Sequence, residues 1–443
     1  MSDHPGLSAP TREGVIAAGA PPLPGWIRRV SLALAVVGLS VFAYGAVTGN
    51  DRAWHAFQFN WLFFTIASSA AVMFVAVQRI TTARWSRGVI RFLEGYVAFL
   101  PFAWLGLVLM VFVGKAHVYP WWNVLADLAP EKQVYLGHRF FALRTVAVFS
   151  ALCALQLWYV WTSVRLDVGV SPEGGAAWAK GLRARMRAAF GEERRELHDT
   201  HSIQGRIAVF MAIVFAFGWC VLAWDQSMSL DPHFFSTMYG WQVFMGGWLV
   251  ALMTFAALVR FWRNRPGMHD LVTDAHYHDI GKLGFGFTAF WGYITFAQFL
   301  VIWYGNMPEE THFFTQRLSN GWTNWTVAIV VLSFVLPFFG LLSIKAKLFS
   351  PTMLFFAACS TLGIWIQRYI EVYPSVYGAV SDVPFGVWEV GISLGFVGVW
   401  GFCYAAFMDA FPKFRVFLLT SSHNDEVQVP VDPKTMEPLP AHE

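Results

Sequence analysis

Apolar residues dominate ten long runs of this chain, and shorter polar segments separate the runs. Each run is about twenty residues long or longer and holds few charges, and a helix of that length crosses a hydrocarbon core of roughly 30 Å. The pattern therefore predicts ten transmembrane helices, termed spans one to ten. We place them at residues 27–48, 55–79, 91–114, 140–164, 203–225, 240–262, 282–305, 322–344, 349–372 and 387–411.

Lys and Arg are distributed unevenly between the loops of the two sides. The loops after spans two, four, six and eight hold most of them, whereas the other loops hold few, such as Arg52 and Lys132. Because cytoplasmic loops carry the excess of basic residues, both termini are predicted to be cytoplasmic. The acidic stretch WDQSMSLDPHFFST, residues 224–237, is predicted to face outward.

The two ends of the chain differ in composition from the spans. Residues 1–25 are rich in Pro, Gly and Ala, and the Pro-rich tail covers residues 413–443. We expect both to be flexible cytoplasmic tails of a membrane domain at residues 26–412. A cleaved signal peptide is not expected, because no basic segment leads into an apolar core.

The overall composition favours the same class of protein. Of the 443 residues, 56% are apolar and only 13% are charged, which is too little polar surface to cover a water-soluble globule. The net charge of +3 adds little, since the distribution of charge matters more in a membrane protein. The expected surroundings are a lipid bilayer, and we expect no nucleic acid partner.

Metal and haem ligands are poorly represented. The four cysteines fall singly in four different spans, and the thirteen histidines lie in tails, loops or at span edges. These positions argue against an iron–sulfur cluster, a covalent haem or a haem held between two helices. The stretch HDLVTDAHYHDIGK, residues 269–282, has side chains suited to zinc but no recognised spacing, and a solvated loop is the alternative. We expect no metal and no covalently bound cofactor.

Two pairs of short matches indicate an internal repeat. GYVAFLPF lies in span three and GYITFAQF in span seven; Trp219 precedes Asp225 by six residues, as Trp365 precedes Glu371. Units that begin four spans apart share one orientation, so the repeat is parallel. The predicted fold is an all-α integral membrane protein with two four-helix bundles, flanked by spans one and ten. The repeats cover about residues 55–226 and 240–373.

Several ionisable or amide side chains fall inside or at the edges of the spans, where a charge costs roughly 2.5 to 3.5 kcal/mol on insertion scales. Such residues are candidates for proton transfer. Snorkelling of Glu94 toward Arg87, Arg91 or the headgroups is the alternative for that residue, and a helix–helix hydrogen bond is the alternative for Gln298. Arg368 and Glu371, three residues apart, can meet on one helix face, where an ion pair that offsets its own burial is the alternative. For Asp279 and Lys282 the alternative is an interfacial pair. The candidates for a proton pathway are Glu94, Asp225, Asp231, Asp279, Lys282, Gln298, Arg368 and Glu371.

Two histidines of the outward loops are candidates for quinone binding. His117 lies close to Lys115 and to the Trp121–Trp122 pair, which together suit a quinone ring, although a membrane-interface belt is the alternative. His233 follows Asp231–Pro232, where a turn alone would explain the sequence.

Two long stretches carry a family resemblance. Residues 223–242, AWDQSMSLDPHFFSTMYGWQ, and residues 278–311, HDIGKLGFGFTAFWGYITFAQFLVIWYGNMPEET, resemble the integral membrane subunits of the polysulfide reductase/NrfD superfamily. More narrowly, the chain resembles the ActF subunits of bacterial alternative complex III, a quinol:electron-acceptor oxidoreductase. The resemblance extends over most of the ten spans. One departure lies in QRYIEV of span nine, where Gln367 stands in the place of an acid common among relatives and Glu371 is the candidate to replace it.

The resemblance implies a multi-pass protein of the bacterial inner membrane within a multisubunit complex. It implies an iron–sulfur subunit and c-haem subunits as partners, so the iron–sulfur clusters and haem c would belong to them. It also implies a second NrfD-like membrane subunit, the expected seat of quinol oxidation.

The leading hypothesis is a non-haem membrane subunit that transfers protons during electron transport. Protons would enter near Glu94 or near the Asp279–Lys282 pair, and would leave near Asp225, Asp231 and Glu371. Direct quinol chemistry, with Asp225 or His233 as proton acceptor, is a second hypothesis. A structural membrane anchor for the redox subunits is a third. A secondary transporter is a fourth, and only Pro101 and Pro337 offer the broken helices that it would need.

Overall fold

The structure is a computed structural model that describes residues 10–83 and 85–420. This part of the chain contains ten helices that are long and apolar enough to cross a membrane, and it contains no strand. The predicted all-α, multi-pass membrane fold is confirmed. The helices, α1 to α10, correspond to spans one to ten and run over Gly25–Val47, Asp51–Ile80, Ile90–Val113, His138–Val170, Glu193–Leu230, Thr237–Arg263, Asp274–Gly305, Asn320–Gly340, Ser350–Tyr377 and Val387–Ala410.

Several helices extend beyond the apolar runs that predicted them. Helix α5 begins at Glu193, within the charged stretch ERRELHDTHS, and α4 continues to Val170. Hydropathy detects only the part of a helix that lies in hydrocarbon. The extension of α5 begins with Glu and Arg residues, which favour helix in water, whereas that of α4 contains Val, Asp and Gly, which do not, and it packs against the helix Lys180–Ala188.

Helix α2 lies at the centre of the molecule and is buried over almost its whole length. It packs against α5, and α6 packs against α9 in the same way. Two further contacts, α5 with α6 and α9 with α2, join these two pairs. A parallel repeat of spans two to five and six to nine would produce this arrangement. The polar side chains of α2 must therefore find their partners inside the protein.

Two membrane helices are irregular. Helix α3 contains a 3₁₀ segment, Gly95–Phe99, and a π turn, Leu109–Val113. Helix α8 contains a π turn, Val331–Val335, two residues before Pro337, whose ring cannot fit the ordinary helical path. In the predicted repeat the counterpart of α3 is α7, which is α-helical from Asp274 to Gly305. The interruptions are therefore not at matched repeat positions.

The chain segments next to the membrane domain are folded. A short helix, Arg12–Gly19, contacts another, Val416–Thr420. Lys413 Nζ donates to the carbonyl oxygens of Gly19 and Pro21 at 2.8 and 2.6 Å, and burial lowers the pKa of Lys413. The expectation of flexible tails is therefore wrong for residues 12–25 and 413–420. The rest of both predicted tails lies outside the described residues.

Both described ends of the chain lie on one side of the membrane domain, because a chain that crosses a membrane ten times begins and ends on the same side. We term this the tail side, and it is the side for which the loop charges predict the cytoplasm. The opposite side is the far side. Glu94 in α3 and Asp167 in α4 lie toward the tail side, whereas Asp225 in α5 and Glu371 in α9 lie toward the far side.

Candidate functional site

Two buried carboxylates on the tail side share one guanidinium group. Arg91 Nη1 donates to Glu94, and Arg91 Nη2 donates to Asp167. Each of the three residues is at most 1% exposed. Arg415, from the segment after α10, places Nη1 3.9 Å from Glu94 Oε1. Two acids and two cations balance in charge, which makes their joint burial tolerable.

Of the partners that the snorkelling alternative offered for Glu94, the structure shows Arg91. Both side chains of this pair are buried in the protein. Ser163 Oγ donates to Glu94 Oε1 at 2.8 Å. The backbone N–H of Phe417 donates to Asp167 Oδ1 at 3.2 Å, so the segment after α10 forms part of the site.

A small cavity of about 80 Å³ adjoins this cluster on the tail side. Asp167 and Arg415 line it, together with Gln78 and Gln204, and exposed Thr82 lies at its rim. This volume is large enough to hold water. It connects Asp167 with the tail-side surface.

One face of α4 continues the polar groups inward from the cluster. The residues are Asp167, Ser163, Tyr159 and Gln156, spaced four, four and three apart, which places them on one helix face. Gln156 Nε2 and Trp219 Nε1 both donate to Ser69 Oγ at 2.9 Å. Tyr159 Oη and Gln156 Oε1 are buried without a hydrogen-bond partner among the described residues. Such atoms are normally satisfied, so each marks a place suited to a proton-carrying group.

The polar face ends near the middle of α4. Beyond Gln156 the same face carries Leu152 and Phe149, both fully buried. The ring of Phe149 lies 5.5 Å from that of Trp61 and 6.4 Å from that of Trp219, between centroids. The next polar residue on this face is Thr145, about 16 Å beyond Gln156 at 1.5 Å per residue. The polar groups thus form a half-path that starts on the tail side.

Asp225 lies at the far side in a closed set of hydrogen bonds. Arg144 donates to it twice, at 2.6 Å from Nη2 to Oδ1 and 3.1 Å from Nε to Oδ2. Thr145 Oγ1 donates at 2.7 Å and Tyr135 Oη at 3.1 Å. Burial and the neighbouring Asp225 raise the pKa of Tyr135, so its phenol stays a donor. A fully buried carboxylate with four donors is held as a fixed ion pair.

Glu371, the predicted counterpart of Asp225, has different surroundings. Arg368 Nη1 donates to Oε2 at 2.6 Å, which confirms that the two residues meet on one face, and Gln367 Nε2 donates to Oε1 at 3.0 Å. Arg368 Nε and Nη2 are buried without an acceptor among the described residues. Glu371 borders a cavity of about 690 Å³. It is therefore both paired and accessible to a ligand.

Arg317 is the last residue of the short helix Pro308–Arg317, and it lies at the far side of this region. It donates to the carbonyl oxygens of Ile370 and Glu371 at 3.0 and 3.1 Å, and burial lowers its pKa to about 10. It thereby ties the loop before α8 to the end of α9.

The remaining far-side candidates lie in ordinary structural contacts. The backbone N–H of His233 donates to Asp231 Oδ1 at 3.3 Å, as the turn alternative expected, and His233 is exposed. His117 Nδ1 lies 2.5 Å from Asp51 Oδ1, and its ring stacks on Trp54. Neither histidine lines the 690 Å³ cavity.

Gln298 and the tail-side pair of α7 also have simple partners. Gln298 Nε2 donates to Ser236 Oγ at 3.3 Å, just before α6. Lys282 Nζ lies 2.6 Å from Asp279 Oδ1, and both side chains are partly exposed, as an interfacial pair would be.

In the histidine-rich loop before α7, side chains are engaged with their neighbours. Arg263 donates to Asp274, and the backbone N–H of Thr273 donates to His276 Nδ1 at 3.1 Å. Across residues 10–83 and 85–420, His, Cys, Asp and Glu side chains form no group of three or more that could hold a metal ion.

A further buried carboxylate, Glu389 at the far-side start of α10, was not anticipated. Arg52 donates to it from Nε at 2.6 Å and from Nη2 at 2.7 Å, and Tyr373 Oη donates at 2.6 Å. This ion pair joins α2, α9 and α10.

Sequence reasoning missed four charged partners, and for three of them a signal existed. Arg144 is a lone charge within span four. Asp167 continues the spacing of Gln156 and Ser163 just past the predicted end of that span. Arg317 is the one basic residue in its loop. Arg415 carried no signal, because it lies in a segment expected to be a solvated tail.

The sequence matches no protein-family model and no curated protein significantly.

Proposed function

We propose that this protein is a non-haem membrane subunit of a quinol:electron-acceptor oxidoreductase of the alternative complex III type. Its place would be the bacterial inner membrane, beside an iron–sulfur subunit, c-haem subunits and a second NrfD-like subunit. The resemblance of residues 223–242 and 278–311 to ActF subunits supports this assignment. The ten-helix fold is compatible with it.

Within that complex the protein transfers protons through repeat one. The observation that carries this role is the pair of buried carboxylates Glu94 and Asp167, which adjoins the tail-side cavity and opens onto the polar face of α4. Buried acids inside a membrane protein are rare and are commonly part of ion or proton pathways. A structural ion pair would require neither the cavity nor the polar face.

The residues of this half-path suit proton transfer in sequence. Asp167 exchanges a proton with water in the cavity. Glu94 exchanges a proton with Ser163, whose hydroxyl group donates to it. The hydroxyl groups of Ser163 and Tyr159 lie one helical turn apart, and a hydroxyl group is able both to donate and to accept a hydrogen bond. Passage beyond Gln156 requires a movement of the apolar section around Phe149.

The test is neutralisation of the two carboxylates in the assembled complex, reconstituted in liposomes with a short-chain quinol as electron donor. We expect Glu94→Gln and Asp167→Asn to lower the protons released per quinol oxidised, while quinol oxidation continues. Glu192→Gln, an exposed tail-side residue, is the matched control. Unchanged proton release in both variants, with normal assembly, would overturn the proton role.

A structural anchor is the second candidate function, and the ion pairs at Asp225 and Glu389 favour it. Each carboxylate is fully buried and held by three or more donors, so each pair fixes helices in place. Under this alternative the Glu94 and Asp167 variants would lower the amount of assembled complex, and proton release per assembled complex would stay constant.

A further inference from the structure

A cavity of about 430 Å³ lies on the tail side, where the ends of α1, α4 and α10 come together. The chain segments next to these helix ends complete its wall, namely the helix Arg12–Gly19, the loop 171–176 and the short helix Lys180–Ala188. Its volume is in the range of small-molecule sites. It shares no lining residue with the small cavity beside Asp167, so the proposed proton path does not use it.

The charged side chains of this cavity are mostly basic. Four are basic and two are acidic, namely Arg28, Arg183, Arg187, Lys413, Glu173 and Asp409. Four positive and two negative groups leave a formal excess of two positive charges. Glu173 lies 3.7 Å from Arg187 Nη1, and its side chain is 89% exposed to water. The excess charge favours an anion as the ligand.

Three of the four cations are held in place by neutral acceptors. Arg183 Nη1 donates to the carbonyl oxygen of Ala410 at 2.8 Å. Arg187 Nη2 donates to that of Pro172 at 2.6 Å, and Lys413 donates to two carbonyl oxygens. A carbonyl oxygen carries no net charge, so these bonds fix the positions of the cations without neutralising them. The positive charge is therefore already in place before a ligand arrives.

Arg28 is the cation whose N–H groups are left for a ligand. Its Nη1 lies 3.7 Å from Asp409 Oδ2, which is beyond hydrogen-bond distance. Asp409 Oδ1 accepts the backbone N–H of Leu23 at 3.0 Å. Among the described residues Arg28 donates no hydrogen bond. A guanidinium group matches the geometry of a phosphate, and Arg28 can therefore donate to one.

The position of Arg28 connects the cavity with the lipid-facing side of α1. Leu32 and Val36 follow Arg28 at intervals of four residues, so the three side chains share one helix face. Leu32 and Val36 are 50% and 56% exposed. Trp26, exposed at the same end of α1, is of the residue type that favours the membrane–water interface. A ligand with its phosphate at Arg28 would have this apolar face beside it, which suits a lipid better than a free phosphate.

We propose that this cavity binds the headgroup of an anionic phospholipid from the tail-side leaflet. The phosphate accepts hydrogen bonds from Arg28, and the other three cations supply the remaining positive charge. The acyl chains lie along Leu32 and Val36. Basic pockets between membrane helices on the cytoplasmic side are common sites for such headgroups. The lipid would join α1 to the end of α10 and to the loop after α4, independently of the proposed function.

The test is titration of the purified full-length protein in detergent with dioleoylphosphatidylglycerol, with native mass spectrometry to count the bound lipids. Dioleoylphosphatidylcholine has the same chains and a phosphate but no net charge, so it is the lipid control. We expect the first phosphatidylglycerol to bind roughly tenfold more tightly than the first phosphatidylcholine. Inorganic phosphate at the same concentration should not displace it.

Two pairs of variants locate the bound lipid. Arg28→Met should weaken phosphatidylglycerol binding about fivefold, and Arg194→Met, an exposed tail-side arginine outside the cavity, is its control. Gly174 lines the cavity, and a Cβ atom there would meet nothing within 4 Å. Gly174→Asp therefore adds a carboxylate without a clash and should weaken binding by a similar factor. Gly181→Asp, equally unobstructed but outside the cavity, is the control. Thermal melting verifies that each variant is folded.

Three results would overturn the proposal. The first is equal binding of phosphatidylglycerol and phosphatidylcholine, and the second is equal binding by Arg28→Met and Arg194→Met. The third is displacement of phosphatidylglycerol by inorganic phosphate at comparable concentration, which would assign the cavity to a free anion. None of them bears on the proton release of the Glu94 and Asp167 variants, which tests the proposed function separately.

Discussion

Arg415 Nη1 lies 3.9 Å from Glu94 Oε1, although Arg415 follows the last membrane helix and Glu94 lies near the start of the third. The guanidinium also donates from Nη2 to Gln204 Oε1 at 3.2 Å. The end of the membrane domain thus supplies the second cation of the tail-side cluster. Without it, two carboxylates would share Arg91 alone.

Replacing this cation should weaken both the fold and the proton role. We expect Arg415→Met to cost about 1–3 kcal/mol, because it leaves a buried acid with one partner fewer, and to lower proton release per quinol. Thermal unfolding and proton release in liposomes measure the two effects. Arg29→Met, an exposed tail-side arginine, is the control. Wild-type behaviour of Arg415→Met in both assays would contradict the assigned contact.

The half-path predicts a specific effect in the middle of α4. Gln156→Leu removes the amide that bonds Ser69 while keeping the side-chain size. We expect proton release to slow several-fold with little change in quinol oxidation, because the polar face is then interrupted. Trp158→Leu on the lipid-facing side of the same helix is the control. If both variants release protons at the wild-type rate, the path does not pass Gln156.

The membrane fold could be predicted from sequence because its signal is local. A run of apolar residues is by itself evidence for a helix in lipid, and the ten runs correspond to α1 to α10. The helix ends could not be predicted as well, since the polar turns of α4 and α5 carry no hydropathy signal. The segment around Val416 was misjudged because tertiary contacts, and not composition, hold it in place.

The candidate site could be predicted only in part. Because a charge inside a membrane is costly, Glu94, Asp225 and Glu371 could be recognised as candidates from the sequence. Their partners could not, since these lie elsewhere in the chain or depend on packing. Asp225 receives its cation from α4, whereas Glu371 receives one from its own helix. Equivalent positions in the proposed repeat therefore have unequal access to ligand, and only the packing of separate helices reveals the difference.

The Asp225–Arg144 pair should behave as a structural element. Asp225→Asn leaves Arg144 buried without its counter-charge, which should cost about 3–5 kcal/mol. The double variant Asp225→Leu with Arg144→Met should cost less, because it leaves no charge unpaired. Thermal unfolding in detergent measures both. A stable Asp225→Asn protein that has lost proton release would instead assign Asp225 to the proton path.

Helices α1 and α10 meet at two glycines. A Cβ atom at Gly395 would lie 2.8 Å from the Cα of Gly38, which is closer than such atoms approach. We expect Gly395→Val to separate the two helices at a cost of about 1–3 kcal/mol, and to speed tryptic cleavage at Arg28 or Arg29. At Gly286 a Cβ would meet nothing within 4 Å, so Gly286→Ala is the control. Unchanged cleavage in Gly395→Val would contradict this close contact.

The docked segment Arg12–Gly19 gives a test of both its contacts and the predicted orientation. Val15 within it is 1% exposed, and Lys413 holds its end through two carbonyl oxygens. In both cases maleimide is added to inside-out vesicles. We expect the Val15→Cys protein to resist labelling, and the double variant Val15→Cys with Lys413→Met to be labelled. Lys282→Met, elsewhere on the tail side, is the control background.

The pH dependence of this docking follows from Lys413. Burial lowers its pKa below the usual 10.5, so the undocked segment binds the proton more tightly than the docked one. Docking should therefore strengthen as the pH rises toward 10.5, and the protected fraction of Val15→Cys should rise with it, after correction by a free thiol. A protected fraction that falls over this range would contradict the buried position of Lys413. Labelling from the outer face of sealed cells would contradict the cytoplasmic orientation.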